Sequence, residues 1–325
     1  MTPNRSSIGR RRVLSGVAVA LGGVAGCAGG GRTSGGGGGG GGSATDGGRA
    51  DGDGDRSGPV SMLAAGSLNN ALENGLRPSV DATVQVEAHG SAEVARLVAE
   101  GQKDPDIVCV ADVALFDGPL DPDWFAEFAT NSVVVAYDPD SEGGQRVADA
   151  GTGGWYRPLL DGDVSLGRTD PDLDPLGYRT LFVLELAAEY YGTDENLREA
   201  IPSRDQIYPE TQLVSQFETG AIDAAVVYRN MAVERGYDYV DLPAEIDLGD
   251  PAYADDYASA TYELPSGKVV RGGLISYGST SRRRSAAVDD VFEAHVVGDY
   301  LTEFGFDVPE DYPRYRGDAP DALAN

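Results

Sequence analysis

The sequence contains few cysteine, histidine and lysine residues. It has two cysteines, two histidines and, among 25 basic residues, only the lysines Lys103 and Lys268. Two cysteines cannot build a disulfide framework, and no spacing of cysteine and histidine suits a zinc site. A glycine-rich phosphate loop and the ligand order of a calcium loop are missing too. The residue pattern therefore indicates no cofactor.

Positive charge is also scarce, because 53 acidic residues give the chain a formal net charge of -28. Such a surface repels nucleic acid, so nucleic acid is not an expected partner. An acidic surface with almost no lysine is typical of a protein adapted to very high salt; the alternative is a merely acidic protein. The charge therefore tells more about the solvent than about a ligand.

The apolar stretch near the N terminus, residues 17–24, is too short for an ordinary transmembrane helix. It follows three arginines at 10–12, which is typical of a twin-arginine signal, and it leads to Cys27 after Val-Ala-Gly, similar to a bacterial lipobox. We therefore predict that residues 1–27 are a twin-arginine lipoprotein signal and that Cys27 is lipidated; the alternative is an incidental cysteine.

Residues 28–59 are mostly glycine with small polar residues and a few arginines, and they include an unbroken glycine run at 35–42. Without large apolar side chains this segment cannot offset its own ordering entropy, which predicts a flexible tether. Signal, anchor, tether and globular body together predict a protein exported by the twin-arginine route. It would be lipid-anchored at the cell surface, on the outer face of the cytoplasmic membrane.

The body of the chain alternates strand-like and helix-like segments. Apolar runs at 61–65 and 84–87 each lead through a Gly-Ser pair, ending in Ser67 and Ser91, into residues with helical spacing. Such strand-to-helix units predict a doubly wound α/β lobe whose ligand lies at the carboxyl ends of the strands.

A second lobe is predicted after a strand over residues 131–137, which ends in the turn residues 138–140. A single helix is predicted from 286 to about 304 at the end of the chain. The predicted domain bounds are a signal at 1–27, a tether at 28–59, a first lobe of 60–137 plus 241–325, and a second lobe of 138–240.

Ser67 and Ser91 can each present a hydroxyl and backbone N–H groups to one cleft, which predicts an oxyanion site; the alternative for Ser67 is ordinary helix capping. A nucleophilic Ser67 would need a histidine. His295 lies on an apolar helix face and is interpreted as structural, while His89 adjoins the second serine and could contact a ligand. Cys109 lies in an apolar strand and is interpreted as a core residue.

Six segments resemble, in order and context, the archaeal molybdate/tungstate-binding proteins of ABC transporters, which belong to the periplasmic-binding-protein superfamily. The resemblance covers residues 60–300. The segments are AGSL (65–68), GS (90–91), AD with AL (111–115), FATN (128–131), DPLGYR (174–179) and AVVYR (225–229).

This resemblance implies a bilobed α/β periplasmic-binding-protein fold of type II-like form, with two doubly wound lobes joined by crossover hinge strands. It implies that Ser67 and Ser91 donate hydrogen bonds, that Tyr228 lies near the anion, and that Asp174 and Glu210 bind its Mo or W atom as carboxylate ligands. From the residues alone, Asp174 is equally well explained as a helix N-cap and Glu210 as a surface acid.

We therefore predict an extracellular solute-binding lipoprotein, not an enzyme, that captures molybdate or tungstate and delivers it to the permease and ATPase of an ABC transporter. It would act as a monomer. The alternatives are a binding protein for sulfate, phosphate or another tetrahedral oxyanion, a lipid-anchored serine hydrolase using Ser67, and a purely structural surface protein.

Overall fold

The computed structural model describes residues 58–201, 206–265, 267, 269–320 and 323, without the side chains of residues 206, 210 and 211. The predicted signal, Cys27 and nearly all of the predicted tether therefore lie outside the described residues. No helix within the described ranges is long and apolar enough to cross a membrane.

The strands are β1 (Val60–Ala65), β2 (Val84–His89), β3 (Ile107–Val110), β4 (Trp124–Asn131), β5 (Val133–Tyr137), β6 (Leu166–Thr169), β7 (Gln206–Tyr208), β8 (Ala224–Tyr228), β9 (Asp238–Asp241), β10 (Thr261–Glu263), β11 (Val269–Arg271), β12 (Ile275–Ser281) and β13 (Arg314–Gly317).

The helices are α1 (Asn69–Ala71), α2 (Arg77–Ser79), α3 (Ser91–Ala99), α4 (Glu142–Ala150), α5 (Tyr156–Asp161), α6 (Pro175–Tyr190), α7 (Leu197–Ala200), α8 (Glu210–Glu218), α9 (Arg229–Arg235), α10 (Ala254–Tyr257), α11 (Ala286–Val297) and α12 (Tyr300–Glu303).

Two sheets organise the described residues. The first has the order β13-β4-β12-β3-β1-β2, and the second has the order β7-β6-β8-β5-β9. In the first sheet β1 pairs in parallel with β2 and β3, and in the second β6 pairs in parallel with β7 and β8. β1 and β3 are almost continuously apolar and buried because helices cover both of their faces. The predicted α/β class with two lobes is confirmed.

The strand predicted over residues 131–137 begins at Val133 and belongs to the second sheet, whereas Asn131 belongs to the first. Trp124–Asn131 pairs with β12 in the first sheet, whereas Val133–Tyr137 pairs with β8 and β9 in the second. The chain therefore changes sheets at Ser132, where the Asn131 Oδ1 atom accepts a hydrogen bond of 3.0 Å from the backbone N–H. The change of sheet thus lies ahead of the predicted turn at 138–140.

The lobe bounds change accordingly, because β5 and β9 both belong to the second sheet. The segment that leads back to the first sheet, residues 247–249, lies beside the first crossover at Ser132. The N–H of Val133 donates to the carbonyl of Asp247 at 2.8 Å, and a Cβ on Gly249 would lie 2.8 Å from the Cβ of Ser132. Only glycine allows the two crossover segments to approach this closely.

The predicted C-terminal helix is interrupted. It runs over Ala286–Val297, stops at Gly298, which has extended backbone angles, and resumes as the short helix Tyr300–Glu303. The apolar spacing of the sequence continues across this break, since Tyr300 also packs toward the core. Its hydroxyl lies 2.8 Å from His295 Nδ1.

His295 and Cys109 are core residues, as predicted, and both are fully buried. The His295 Nε2 atom lies 3.2 Å from the Cys109 sulfur. Burial lowers the pKa of His295 to about 3 and raises the pKa of Cys109 to about 12. Both groups are therefore uncharged at neutral pH.

Candidate functional site

The predicted serines lie together at the carboxyl edge of the first sheet. Ser67 follows β1 and Ser91 begins α3 directly after β2, and these two strands are parallel neighbours with Ala65 opposite His89. Both serine side chains are partly exposed. Parallel strands end at the same edge of a sheet, so both serines lie at one edge.

Ser67 does not cap a helix. It lies inside the 3-10 turn Gly66–Leu68, whose N-cap is Ala65, and its Oγ atom is 3.0 Å from the hydroxyl of Tyr277 in β12. The capping alternative for Ser67 is therefore wrong, and its hydroxyl belongs to a contact between distant strands.

The Ser91 hydroxyl joins β2 to β3. Its Oγ atom accepts a hydrogen bond of 2.9 Å from the N–H of Ala111, which follows β3. Because this bond occupies the oxygen as an acceptor, the hydroxyl proton remains available to a partner in the cleft. His89, beside Ser91, instead has its Nε2 atom 2.8 Å from Glu87 Oε1.

The remaining predicted residues follow the parallel strands of the second sheet. Asp174 precedes α6 after β6, Glu210 begins α8 after β7, and Tyr228 ends β8. The backbone thus places all three at one sheet edge. The side chain of Glu210 lies outside the described residues, so its predicted role stays a prediction.

Asp174 caps α6. Its Oδ1 atom accepts a hydrogen bond of 2.7 Å from the N–H of Leu176. The preceding loop packs tightly on the helix, because a Cβ on Gly177 would lie 2.5 Å from the backbone of Asp170 and Pro171. The capping explanation of Asp174 is thus observed, while the partly exposed carboxylate keeps a second oxygen.

Arg179 was given no role by the sequence, yet it contacts a predicted site residue. Its Nη1 atom donates a hydrogen bond of 2.6 Å to the Tyr228 hydroxyl, and the guanidinium lies over the same ring, 5.6 Å from its centroid. Burial raises the pKa of Tyr228, although Arg179 opposes that rise. Tyr228 is therefore a neutral phenol whose oxygen is occupied and whose proton can be donated.

The two sheet edges face each other. Burial raises the pKa of Tyr178 on α6, and Asp112, which follows β3 of the first sheet, adds to this rise. Burial likewise raises the pKa of Tyr277 in the first sheet, and Arg179 of the second lobe opposes it. A direct contact agrees with this placement, because Asn230, two residues after Tyr228, donates from Nδ2 to the carbonyl of Ser67 at 3.1 Å.

Two buried asparagines connect the lobes beneath this cleft. Asn131 ends β4, and its Nδ2 atom donates to Asn230 Oδ1 at 2.8 Å and to the Tyr277 hydroxyl at 3.2 Å. Asn230, on α9, donates from Nδ2 to the carbonyl of Ser67 at 3.1 Å. The sequence contained no local sign of this network, because the residues that it joins are far apart along the chain.

The described side chains include no group of three or more histidine, cysteine, aspartate or glutamate residues that could hold a metal ion. The arrangement instead combines partly exposed hydroxyl donors with one guanidinium. These are the groups that hold an oxyanion through hydrogen bonds.

Comparisons with known proteins show the family and the fold. Residues 66–262 match the family model described as bacterial extracellular solute-binding protein. A Haloferax volcanii protein is 54% identical over 271 residues, covering 83% of this chain and 88% of the relative, and its name describes an ABC transporter molybdenum-binding protein. A molybdate/tungstate-binding protein of Pyrococcus abyssi is 33% identical over 227 residues, covering 62% of this chain and 66% of the relative.

Among solved structures, the substrate-binding domain of a molybdenum ABC transporter from Clostridium difficile superposes with a TM-score of 0.53. It is 16% identical and the match covers 78% of this chain and 99% of that domain. At this identity the similarity concerns the two-lobed fold alone.

Proposed function

Because this chain belongs to the family of bacterial extracellular solute-binding proteins, and so is not an enzyme, we propose that it binds molybdate or tungstate in the cleft between its two sheets. The proposal draws on the relatives from Haloferax volcanii and Pyrococcus abyssi, whose names include these metals. The anion would then pass to the permease and ATPase of an ABC transporter.

The observation that carries the proposal is the set of oriented donors. The oxygens of Ser91 and Tyr228 already accept hydrogen bonds from Ala111 and Arg179, so their protons are left for a ligand. Molybdate and tungstate are tetrahedral dianions that only accept hydrogen bonds, and Arg179 supplies positive charge on the second lobe. The net negative charge of the chain opposes this attraction at long range, but salt at molar concentration screens such repulsion beyond about 3 Å.

The carboxylates have a distinct proposed role. An acid beside a dianion is unfavourable unless it binds the central metal atom, and hard oxygen ligands suit a high-valent ion. We assign that role to Asp174 and Glu210, which would raise the anion from four-coordinate to six-coordinate. X-ray absorption spectroscopy of the bound complex should show six oxygen neighbours, and a four-oxygen shell would refute the assignment.

The ligand itself is tested by isothermal titration of the purified protein with tungstate, molybdate, sulfate and phosphate. We expect tungstate and molybdate to bind and to outcompete the other two anions. The Ser91→Ala variant should bind at least about tenfold more weakly, since a hydrogen bond to a charged group is lost. The matched control is Ser215→Ala on the exposed face of α8. Preference for sulfate or phosphate would contradict the proposal.

Export and anchoring are proposed from the N-terminal sequence. A lipidated Cys27 following a twin-arginine signal would hold the monomeric binding domain near its permease on a flexible tether. We expect the native protein to fractionate with membranes and the Cys27→Ser variant to be released. Release of both forms would refute the anchor without affecting the proposed ligand.

A further inference from the structure

The buried network under the cleft fixes the direction of each of its hydrogen bonds. Asn131 Oδ1 faces the backbone N–H groups of Ser132 at 3.0 Å and Asn230 at 3.4 Å. An oxygen must occupy this position, because both partners only donate. The amide nitrogen of Asn131 is therefore the atom that faces Asn230 Oδ1 and the Tyr277 hydroxyl.

Asn230 is oriented in the same way. Its Nδ2 atom lies 3.1 Å from the carbonyl oxygen of Ser67, which can only accept. The Oδ1 atom then accepts from Asn131 at 2.8 Å. Both asparagines are 3% exposed or less, so water does not compete for these bonds.

The direction of the last bond follows from burial. Among the described residues, the Tyr277 hydroxyl has two hydrogen-bond partners, Asn131 Nδ2 and Ser67 Oγ. Tyr277 is 2% exposed, and an unsatisfied buried O–H is costly. Since Asn131 donates to the phenol oxygen, only Ser67 Oγ can accept the phenol proton.

We infer that Asn131 and Tyr277 form a hydrogen-bond relay that orients the Ser67 hydroxyl proton toward the cleft. In this relay the amide of Asn131 donates to Tyr277 and the phenol of Tyr277 donates to Ser67. The partly exposed Ser67 hydroxyl is thereby left as a donor to the ligand. Asn131 and Tyr277 are positioning residues, because they act on the ligand through Ser67.

This inference rests on the proposed oxyanion function and deepens it. With Ser67 oriented by the relay, three hydroxyls on two lobes, those of Ser67, Ser91 and Tyr228, have oxygens that already accept hydrogen bonds. The site is thus set to donate at these positions, which favours a fully deprotonated oxyanion. Hydrogenphosphate has a proton of its own to donate, whereas these three hydroxyls are oriented as donors toward the ligand.

The test reverses the relay at its first residue, where the new carboxylate oxygen also meets the acceptor Asn230 Oδ1 and requires the Asn230 amide to turn. In the Asn131→Asp variant a carboxylate replaces the donor amide, so Tyr277 would donate to residue 131 and Ser67 would donate to Tyr277. Tungstate affinity, measured by isothermal titration, should fall at least about tenfold. The ratio of tungstate to hydrogenphosphate affinity should fall as well, a change that a merely structural role would not produce.

A double-mutant cycle separates the relay from the added negative charge. In a Ser67→Ala background the hydroxyl that the relay orients is missing. Adding Asn131→Asp should then weaken tungstate binding by less than about twofold. A loss of the same size in both backgrounds would mean that the charge acts through space, and would overturn the relay. If Asn131→Asp does not fold, Tyr277→Phe gives a second cycle, in which the loss should again require Ser67.

The outcomes for the two proposals are distinguishable. Failure of the native protein to bind any tetrahedral oxyanion would overturn the proposed function and the relay with it. Native binding combined with unchanged affinity and selectivity in Asn131→Asp would overturn the relay alone.

Discussion

Asp247 should destabilise the protein at neutral pH. Its carboxyl lies on the return crossover, where burial raises its pKa to about 7 from a model-peptide value of 3.8. Bonds from Gly249 and Tyr257 oppose the rise, while the charges of Asp307 and Asp250 add to it. The folded protein therefore holds a proton that the unfolded chain releases between about pH 4 and 7.

The sign and size of the effect follow from proton linkage. The pKa of Asp247 is higher in the folded protein than in the unfolded chain. Its titration therefore costs no stability below about pH 4, and it lowers the free energy of unfolding progressively as the pH rises to about 7. The full shift corresponds to about 4 kcal/mol, and partial solvent exposure of Asp247 reduces the expected loss to about 1–3 kcal/mol.

The Asp247→Asn variant removes this titration and keeps the acceptor oxygen that Gly249 N–H contacts at 2.7 Å. Denaturant unfolding at a series of pH values should show equal stabilities near pH 4 and a growing advantage of the variant up to about pH 7–8. A pH-independent difference, or a variant less stable than the native protein at pH 8, would mean that Asp247 does not titrate with a raised pKa in the folded protein.

Asp223→Asn is the matched control with the opposite sign. Burial would raise the pKa of Asp223, but hydrogen bonds from the backbone and hydroxyl of Ser165, at 2.8 and 2.7 Å, outweigh it and lower the pKa. This charged carboxylate therefore stabilises the fold above its unfolded pKa of about 4, and the stabilisation is lost as pH falls. The variant should be less stable than the native protein at neutral pH.

Two further predictions concern the second lobe. Tyr228→Phe should weaken tungstate binding by at least about tenfold while leaving Arg179 in place, and an unchanged ligand-induced thermal shift would remove Tyr228 from the site. Gly177→Ala should lower the free energy of unfolding by about 1–3 kcal/mol, because its Cβ would meet the backbone of Asp170. Gly153→Ala, where a Cβ meets no atom within 4 Å, should be nearly neutral.

The amino-acid sequence was enough to predict the class of fold and the sheet edge at which Ser67 and Ser91 lie. Apolar runs followed by small residues and helical spacing are local patterns, and they placed Ser67 and Ser91 correctly at the ends of parallel neighbours. The cleft residues of the second lobe depended on a family resemblance. A lone aspartate before a helix is explained as well by capping, and Asp174 does cap α6.

Tertiary structure alone decided how the lobes join and how the donors are oriented. The change of sheet at Ser132 depends on which sheet each half of the chain meets, the first for Trp124–Asn131 and the second for Val133–Tyr137. The network of Ser67, Asn131, Asn230 and Tyr277 joins residues up to 210 positions apart in sequence. Hydrogen bonds over such separations are set by packing of the two sheets, and local composition carries no information about them.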